Sequence, residues 1–340
     1  MAFAAEGVAA PLVGLHGRDY LSSADGSAAE TAALLTLAAQ LKSGDRRIDL
    51  GNRVLGLIFT KASTRTRVSF QVAMARLGGQ TVDLNPTVTQ LGRGEPLQDT
   101  ARVLSRYCDA LAIRTFAQQE LVDYAHWASV PVINALTDLE HPCQALADFL
   151  TMLEVHGDLP GQTLAYIGDG NNVAHSLMLC GALLGVNVRI GCPEGFEPLS
   201  GVLEQARSLA QHGASIEICT DPVKAVAGAQ AVYTDVWASM GQEDEQAERE
   251  AAFAAFCVDQ ALMDQAAKDA IVLHCLPAHR GEEITAEVME GASSRIFDQA
   301  ENRLHAPHAL LAALMGGLCW RQQHIPLASR RGWGYKCIVQ

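Results

Sequence analysis

Ser63-Thr64-Arg65-Thr66-Arg67 sets three hydroxyls and two guanidinium groups side by side, a combination suited to gripping an oxyanion. A strand-like run, Arg53 to Phe59 (RVLGLIF), leads into it. An apolar pattern at helical spacing leaves it: Val68, Val72, Ala73, Ala75 and Leu77, stopped by Gly78-Gly79. The polar cluster therefore falls at a helix N-terminus just past a strand end. Free backbone N–H groups and the positive end of the helix dipole point there, which favours an anion, most naturally a phosphate. Arg65 can add a two-pronged contact to phosphate oxygens. Taken alone, the same residues also read as an ordinary capped helix start with two solvated arginines.

Further polar groups fall where strand-like runs end, the edge at which open α/β sheets hold ligands. Arg114 closes the run 109–115, and His141-Pro142-Cys143-Gln144 opens a long helix in which His141 and Gln144 share a face. Gly168-Asp169-Gly170 hints at a dinucleotide turn, but Val173 stands where the third glycine belongs and no acid completes a ribose site. Asn171-Asn172 could present amides to a polar ligand instead. Asp235 leaves a strand in TDVWASMGQE, followed by Ser239, Met240 and Gly241, and suits an ammonium group. His274-Cys275-Leu276-Pro277 ends another run, with His279 close by. A zinc set drawn from His274, Cys275 and His279 is disfavoured because adjacent residues seldom chelate one ion. His141 with Cys143 lacks a partner pair at ligand spacing. A thiol beside leucine and proline suits substrate packing better. Arg303, in AENRLHAP, begins the last helix.

The elements that must position these groups alternate along the chain. Strand-like runs are read at 53–59, 81–84, 109–115, 130–136, 163–167, 186–192, 215–220, 229–236, 270–276 and 295–299. Helical patterns lie between them: 66–77, 97–108, 117–127, 141–157, 174–184, 200–212, 247–256 and 260–267, with a final helix over 302–318. Ser27-Ala28-Ala29-Glu30 is a capping box for an earlier helix, and residues 1–16 are expected to be poorly ordered at the start. Such alternation predicts parallel sheets with right-handed crossovers, and 340 residues allow two of them. The expected fold is α/β: two Rossmann-like parallel-sheet domains with helices on both faces, linked by long helices. Composition breaks at Gly157…Pro160-Gly161.

The net charge of −13 argues against nucleic-acid or anionic-membrane binding. Nine cysteines without a CxxC pair suggest reduced thiols and a cytoplasmic setting. Neither a signal peptide nor a membrane span is read.

STRTR, HPCQ, DVWASMGQE, HCLP and ENRLHAP, in this order, resemble the aspartate/ornithine carbamoyltransferase family, its ornithine branch in particular. The likeness runs from GRDYLS (17–22) to about residue 318. It implies carbamoyl transfer from carbamoyl phosphate to the δ-amine of L-ornithine, with no metal and no cofactor. By motif match, Ser63, Thr64, Arg65 and Thr66 would hold the phosphate. Arg114, His141 and Gln144 would complete the carbamoyl phosphate site, with Cys275, Leu276 and Arg303 alongside. Gln90 matches a residue lent by a neighbouring subunit, implying a homotrimer or a multiple of trimers. Asn172, Asp235, Ser239 and Met240 match ornithine ligands, and Arg114, His141 and Cys275 the groups at the reacting centre. Residues 1–140 are expected to form the carbamoyl phosphate domain, with 319–340 packing back on it, and 141–318 the ornithine domain. Thr60 and Ala62 depart from the more usual acidic and Pro/Ser-type residues before STRTR, and the tail after about 319 is longer than the family norm. A sibling transferase acting on putrescine or an acylated ornithine, an NAD(P)-binding oxidoreductase built on the GDG turn, and a non-catalytic subunit of the same fold are the alternatives.

Overall fold

Runs such as VLGLIF and TLAYI are apolar throughout rather than alternating, as strands buried on both faces must be. In the computed structural model, which describes residues 9–85, 94–238 and 246–316, they form two parallel sheets. The first contains β1 (Val54–Phe59), β2 (Gln80–Leu84), β3 (Ala110–Arg114) and β4 (Val132–Leu136) in the order β2-β1-β3-β4. The second contains β5 (Thr163–Ile167), β6 (Asn187–Gly191), β7 (Ile216–Cys219), β8 (Ala231–Thr234) and β9 (Ile271–His274) in the order β7-β6-β5-β8-β9. Each order reverses once, between β1 and β3 and between β5 and β8. A crevice opens at such a reversal, beyond the carboxyl ends of the strands.

The helices around the first sheet are α1 (Ala9–Val13), α2 (Ala28–Ser43), α3 (Arg65–Arg76), α4 (Leu97–Leu104) and α5 (Gln118–Trp127). Those around the second are α7 (Asn172–Leu184), α8 (Ser200–Leu209), α9 (Pro222–Val226), α10 (Gln246–Phe253), α11 (Gln260–Met263) and α12 (Ala286–Met289). Two long helices join the halves. α6 (Pro142–His156) is buried at every residue from Pro142 to Met152, and α13 (Ile296–Met315) lies against α6, α3 and α2. One apolar core consequently runs through both halves, from Leu57 and Phe70 by way of Phe149 to Leu177 and Leu310.

Local chemistry sets several ends. Ser27 and Glu30 close the capping box of α2 as read from the sequence. Gly78 follows α3 at φ +74°, and a Cβ there would sit 2.3 Å from the Asp49 carboxylate. Four expectations change. RIFDQ is not a strand: the Arg295 N–H donates to the Val272 carbonyl, the Val272 N–H donates to the Ser293 carbonyl, and α13 then begins at Ile296. The helix expected over 97–108 ends at Leu104, and that over 260–267 at Met263. Residues 9–16 are not loose, because Leu12 and Leu15 are buried in the core. The expected packing of 319–340 lies outside the described residues; within them α13 makes the return to the first half.

Candidate active site

The two reversals face one cleft of about 1220 Å³, lined by residues 61–66, Arg114, His141, 169–173, Asp235, 275–277 and Arg303. The motif after β1 delivers α3 with its N-terminus open. Thr64 stands at the cap position without a side-chain cap, which leaves the first N–H groups of α3 available. Arg65 Nη2 donates to the Leu276 carbonyl at 2.6 Å, spanning the cleft. Arg303 Nη2 donates to Thr66 Oγ1 at 2.5 Å and lies 3.4 Å from His141 Nε2. Arg114, at the end of β3, is buried with its Nε unpartnered. Pro307, inside α13, has no N–H to offer the carbonyl four residues back, that of Arg303.

These three guanidinium groups converge, and no carboxylate pairs with any of them among the described residues. Burial, then the charges of Arg303 and Arg65, bring Arg114 down to about 10, so it stays protonated at neutral pH. Burial also lowers Arg303, with Arg65 adding to it. His141 is held well below the usual imidazole range by burial and by Arg303, Arg114 and Arg65, and is therefore neutral. Converged, uncompensated positive charge at a helix N-terminus is a site for a compact anion of more than one charge.

The opposite wall is acidic and polar. Asp235, after β8, accepts Cys275 Sγ–H at 2.9 Å on one oxygen and Asn171 Nδ2–H at 3.0 Å on the other. Burial first, then the Asp235 carboxylate, pushes the Cys275 thiol well up, so it is a neutral donor rather than a thiolate. Asn171 Oδ1 caps α7, while Asn172 Nδ2 donates to the Thr137 carbonyl at 2.6 Å. Leu276 has φ +60°, a left-handed conformation uncommon for a branched side chain, with a cis bond to Pro277. Its N–H donates to His274 Nδ1 at 2.8 Å, and His274 Nε2 meets Glu283 at 2.9 Å. Both ring nitrogens of His274 are thus engaged. Asp235, His274 and Cys275 do lie within ligand distance of one another, but His274 would have to give up a bond to bind an ion.

The cleft therefore brings together Ser63, Thr64, Arg65, Thr66, Arg114, His141, Asn172, Asp235, Cys275, Leu276 and Arg303. Gln144 does not line it. That residue is fully buried one turn beyond His141, its Nε2 on Asp148 Oδ1 at 2.7 Å and its Oε1 without a partner. Gln90, Ser239 and Met240 lie outside the described residues. Gly170 serves packing rather than a pyrophosphate, since a Cβ there would meet Pro198 N at 2.2 Å. The backbone of 197–198 occupies the close-approach position a dinucleotide would need.

Four residues escaped the sequence reading. Lys61 pairs with Asp138 at 2.5 Å, its ammonium 4.1 Å from the centre of the Phe116 ring. Arg249 reaches from α10 to Asp169 at 2.9 Å and to the Trp237 carbonyl at 2.8 Å. His175 donates through Nδ1 to the Leu139 carbonyl and accepts the Leu199 N–H at Nε2, tying the crossover between the halves to the 193–199 loop. Asp148 lies beneath the site, and of the four it alone left a trace: an acid inside the apolar run ALADFL.

Comparison with known proteins agrees with this geometry. A family model described as aspartate/ornithine carbamoyltransferase, carbamoyl-P binding domain, matches residues 18–154, and its Asp/Orn binding domain counterpart matches 160–314. An ornithine carbamoyltransferase of Parasynechococcus marenigrum (strain WH8102) is 86% identical over 94% of this chain and 100% of its own length. The crystal structure of ornithine carbamoyltransferase from Gloeobacter violaceus is 56% identical, with a TM-score of 0.82 over 88% of this chain and 99% of that one. The Pyrococcus furiosus ornithine carbamoyltransferase structure is 50% identical, with a TM-score of 0.86 over 89% of this chain and 98% of that one.

Proposed function

This chain belongs to the aspartate/ornithine carbamoyltransferase family, and from that premise we infer that it transfers the carbamoyl group of carbamoyl phosphate to the δ-amine of L-ornithine, giving L-citrulline and phosphate. The observation that carries the reading is the convergence of Arg65, Arg114 and Arg303 on the open end of α3, facing the Cys275–Asp235–Asn171 cluster.

The chemistry follows from these groups. The phosphate sits on the α3 N–H groups with Ser63, Thr64 and Arg65, which stabilise it as it leaves. The carbamoyl oxygen gains negative charge as the amine adds, and Arg114, neutral His141 and the Thr66 hydroxyl are donors for it. One such donor is typically worth about 2.7–4 kcal/mol. The δ-amine, which titrates near ~10.4 in water, must be neutral to attack. Asp235 and the Cys275 thiol orient it, and the departing phosphate takes its proton. With its thiol held protonated by burial and by Asp235, Cys275 serves to orient substrate. Holding both substrates in line supplies up to roughly 7–11 kcal/mol by proximity.

Residues 1–140 hold carbamoyl phosphate and 141–318 ornithine in this reading, with α13 lending Arg303 to the first site. Asn172, Ser239 and Met240 bind the amino-acid end of ornithine. Leu276 meets the carbamoyl amide, with the unpartnered Gln144 Oε1 behind His141 in the cleft wall as the acceptor for its N–H, and Gln90 reaches a neighbouring copy in a homotrimer; light scattering measures that assembly. Among the described residues no helix is long and apolar enough to cross a membrane, and the described cysteines are all free, which suits a reducing compartment. A colorimetric citrulline assay tests the function, with ornithine, putrescine and N-acetylornithine run in parallel. Turnover of ornithine alone is expected; turnover of putrescine or N-acetylornithine instead would transfer the reading to a sibling activity.

A further inference from the structure

Asp148 is fully buried on α6, yet its carboxyl faces polar groups from three elements. Gln144 Nε2, one turn back, donates to Oδ1 at 2.7 Å, and Gln299 Nε2 of α13 donates to the same oxygen at 2.6 Å. Gln299 in turn accepts the His274 N–H at 2.8 Å, at the end of the strand that carries Cys275. A carboxylate oxygen can only accept, so both amides must turn their nitrogens toward it. The consequence for Gln144 is that Oε1 is left a buried acceptor with no partner, on the helix face it shares with His141, which itself lines the cleft. A buried orphan acceptor beside a binding cleft is costly unless a ligand donor completes it.

We propose that Asp148 is a positioning residue for the carbamoyl end of the substrate: its carboxylate locks the Gln144 amide so that Oε1 is presented to an incoming –NH2 group. The proposal rests on the carbamoyl phosphate reading of the site. Protonation of Asp148, for which the unpartnered Oδ2 is the open oxygen, removes the negative charge that fixes both amides. The amide bonds to Oδ1 then lose their charge assistance, and the Gln144 amide is held less firmly in the presenting orientation. Burial raises this carboxyl to about 7, against the lowering effect of Gln299, Gln144, Arg303 and Tyr233. The thiols of Cys180 and Cys275 also face it, both kept protonated by burial. Presentation of the Gln144 acceptor is therefore firmest with Asp148 ionised and weakens as pH falls through about 7.

Calorimetry on the full chain with two probes tests this. Phosphonoacetamide carries a phosphonate and a carbamoyl-like amide; inorganic phosphate carries only the anion. At pH 8, Asp148→Asn is expected to weaken phosphonoacetamide at least tenfold and phosphate less than twofold. The ratio of the two wild-type affinities is expected to fall as pH drops through 7, and to be flat in the variant. On a Gln144→Met background, Asp148→Asn should cost less than threefold further, because the residue it acts through is gone. Should Asp148→Asn fail to fold, Gln299→Glu sets a second carboxyl against Oδ1 and is expected to move the midpoint of the ratio upward by at least one pH unit. Equal losses for both probes, a pH-independent wild-type ratio, or the same loss on the Gln144→Met background would overturn the proposal. Failure of wild type to bind either probe would instead strike at the carbamoyl phosphate reading itself.

Discussion

At the residue scale, Arg65, held between the open end of α3 and the Leu276 carbonyl, is placed to make charge-assisted contacts to the phosphate. Such bonds are worth about 1.5–3 kcal/mol, so Arg65→Ala is expected to raise the KM for carbamoyl phosphate roughly 10- to 150-fold. Initial-rate kinetics check this, and an unchanged KM removes Arg65 from the phosphate site. Asp235→Asn is expected to raise the KM for ornithine by a similar factor while leaving carbamoyl phosphate binding, read by calorimetry, within twofold. Equal loss of both would make Asp235 structural. The raised, buried Cys275 thiol leads to a third expectation: iodoacetamide at pH 8 modifies the partly exposed Cys219 and Cys257 well before Cys275, as mass spectrometry would show. Arg65, Arg114, His141, Asp235 and Cys275 were legible in the sequence because their types are unusual at strand ends. Arg249 was not, since a helical arginine looks the same whether solvated or, as here, buried against Phe196 and Asp169.

At the element scale, the alternation of strands and helices was legible because the central strands are apolar on both faces and many of the breaks carry glycine or proline. What one chain pattern could not show was how short a pairing can be. RIFDQ has the aromatic and β-branched content of a strand, yet a single bridge, between the preceding Ser294 and Val272, is all that forms before Ile296 is drawn into the core as the first residue of α13. GDG was ambiguous for a related reason. The turn is the same whether a pyrophosphate or another loop approaches, and here Glu197-Pro198 does. Gly170→Ala is accordingly expected to lower stability by about 1–3 kcal/mol, the usual cost of overpacking, read as a lower urea midpoint. An unchanged midpoint would mean that the 196–198 backbone can yield.

At the scale of the whole molecule, the two sheet reversals meet across α6 and α13, and the cleft exists only while that shared core holds. Several histidines sit in or near it. His308 is lowered to about 4 by burial, then by His305 and Arg76. Burial also lowers His141, His175 and His305. A histidine whose folded value lies below its unfolded one takes up protons on unfolding, so it contributes stability that is present above about 6.5 and lost as pH falls. Asp148, Glu140 and Asp19, raised by burial, work in the opposite sense, favouring the folded state at low pH. The four histidines outnumber these three carboxyls, so the urea midpoint is expected to fall between pH 6.5 and 4, and His308→Asn is expected to flatten that fall. A midpoint independent of pH across the window would contradict the burial of these imidazoles.

The most direct measurement is a crystal structure with a bisubstrate mimic that joins a phosphonate, through a carbonyl, to the δ-nitrogen of ornithine. The account predicts the phosphonate on the first N–H groups of α3 within reach of Arg65, Arg114 and Arg303, and the amino-acid end beside Asp235 and Asn172. A mimic bound in the reverse sense, or outside the cleft between the two sheets, would contradict it.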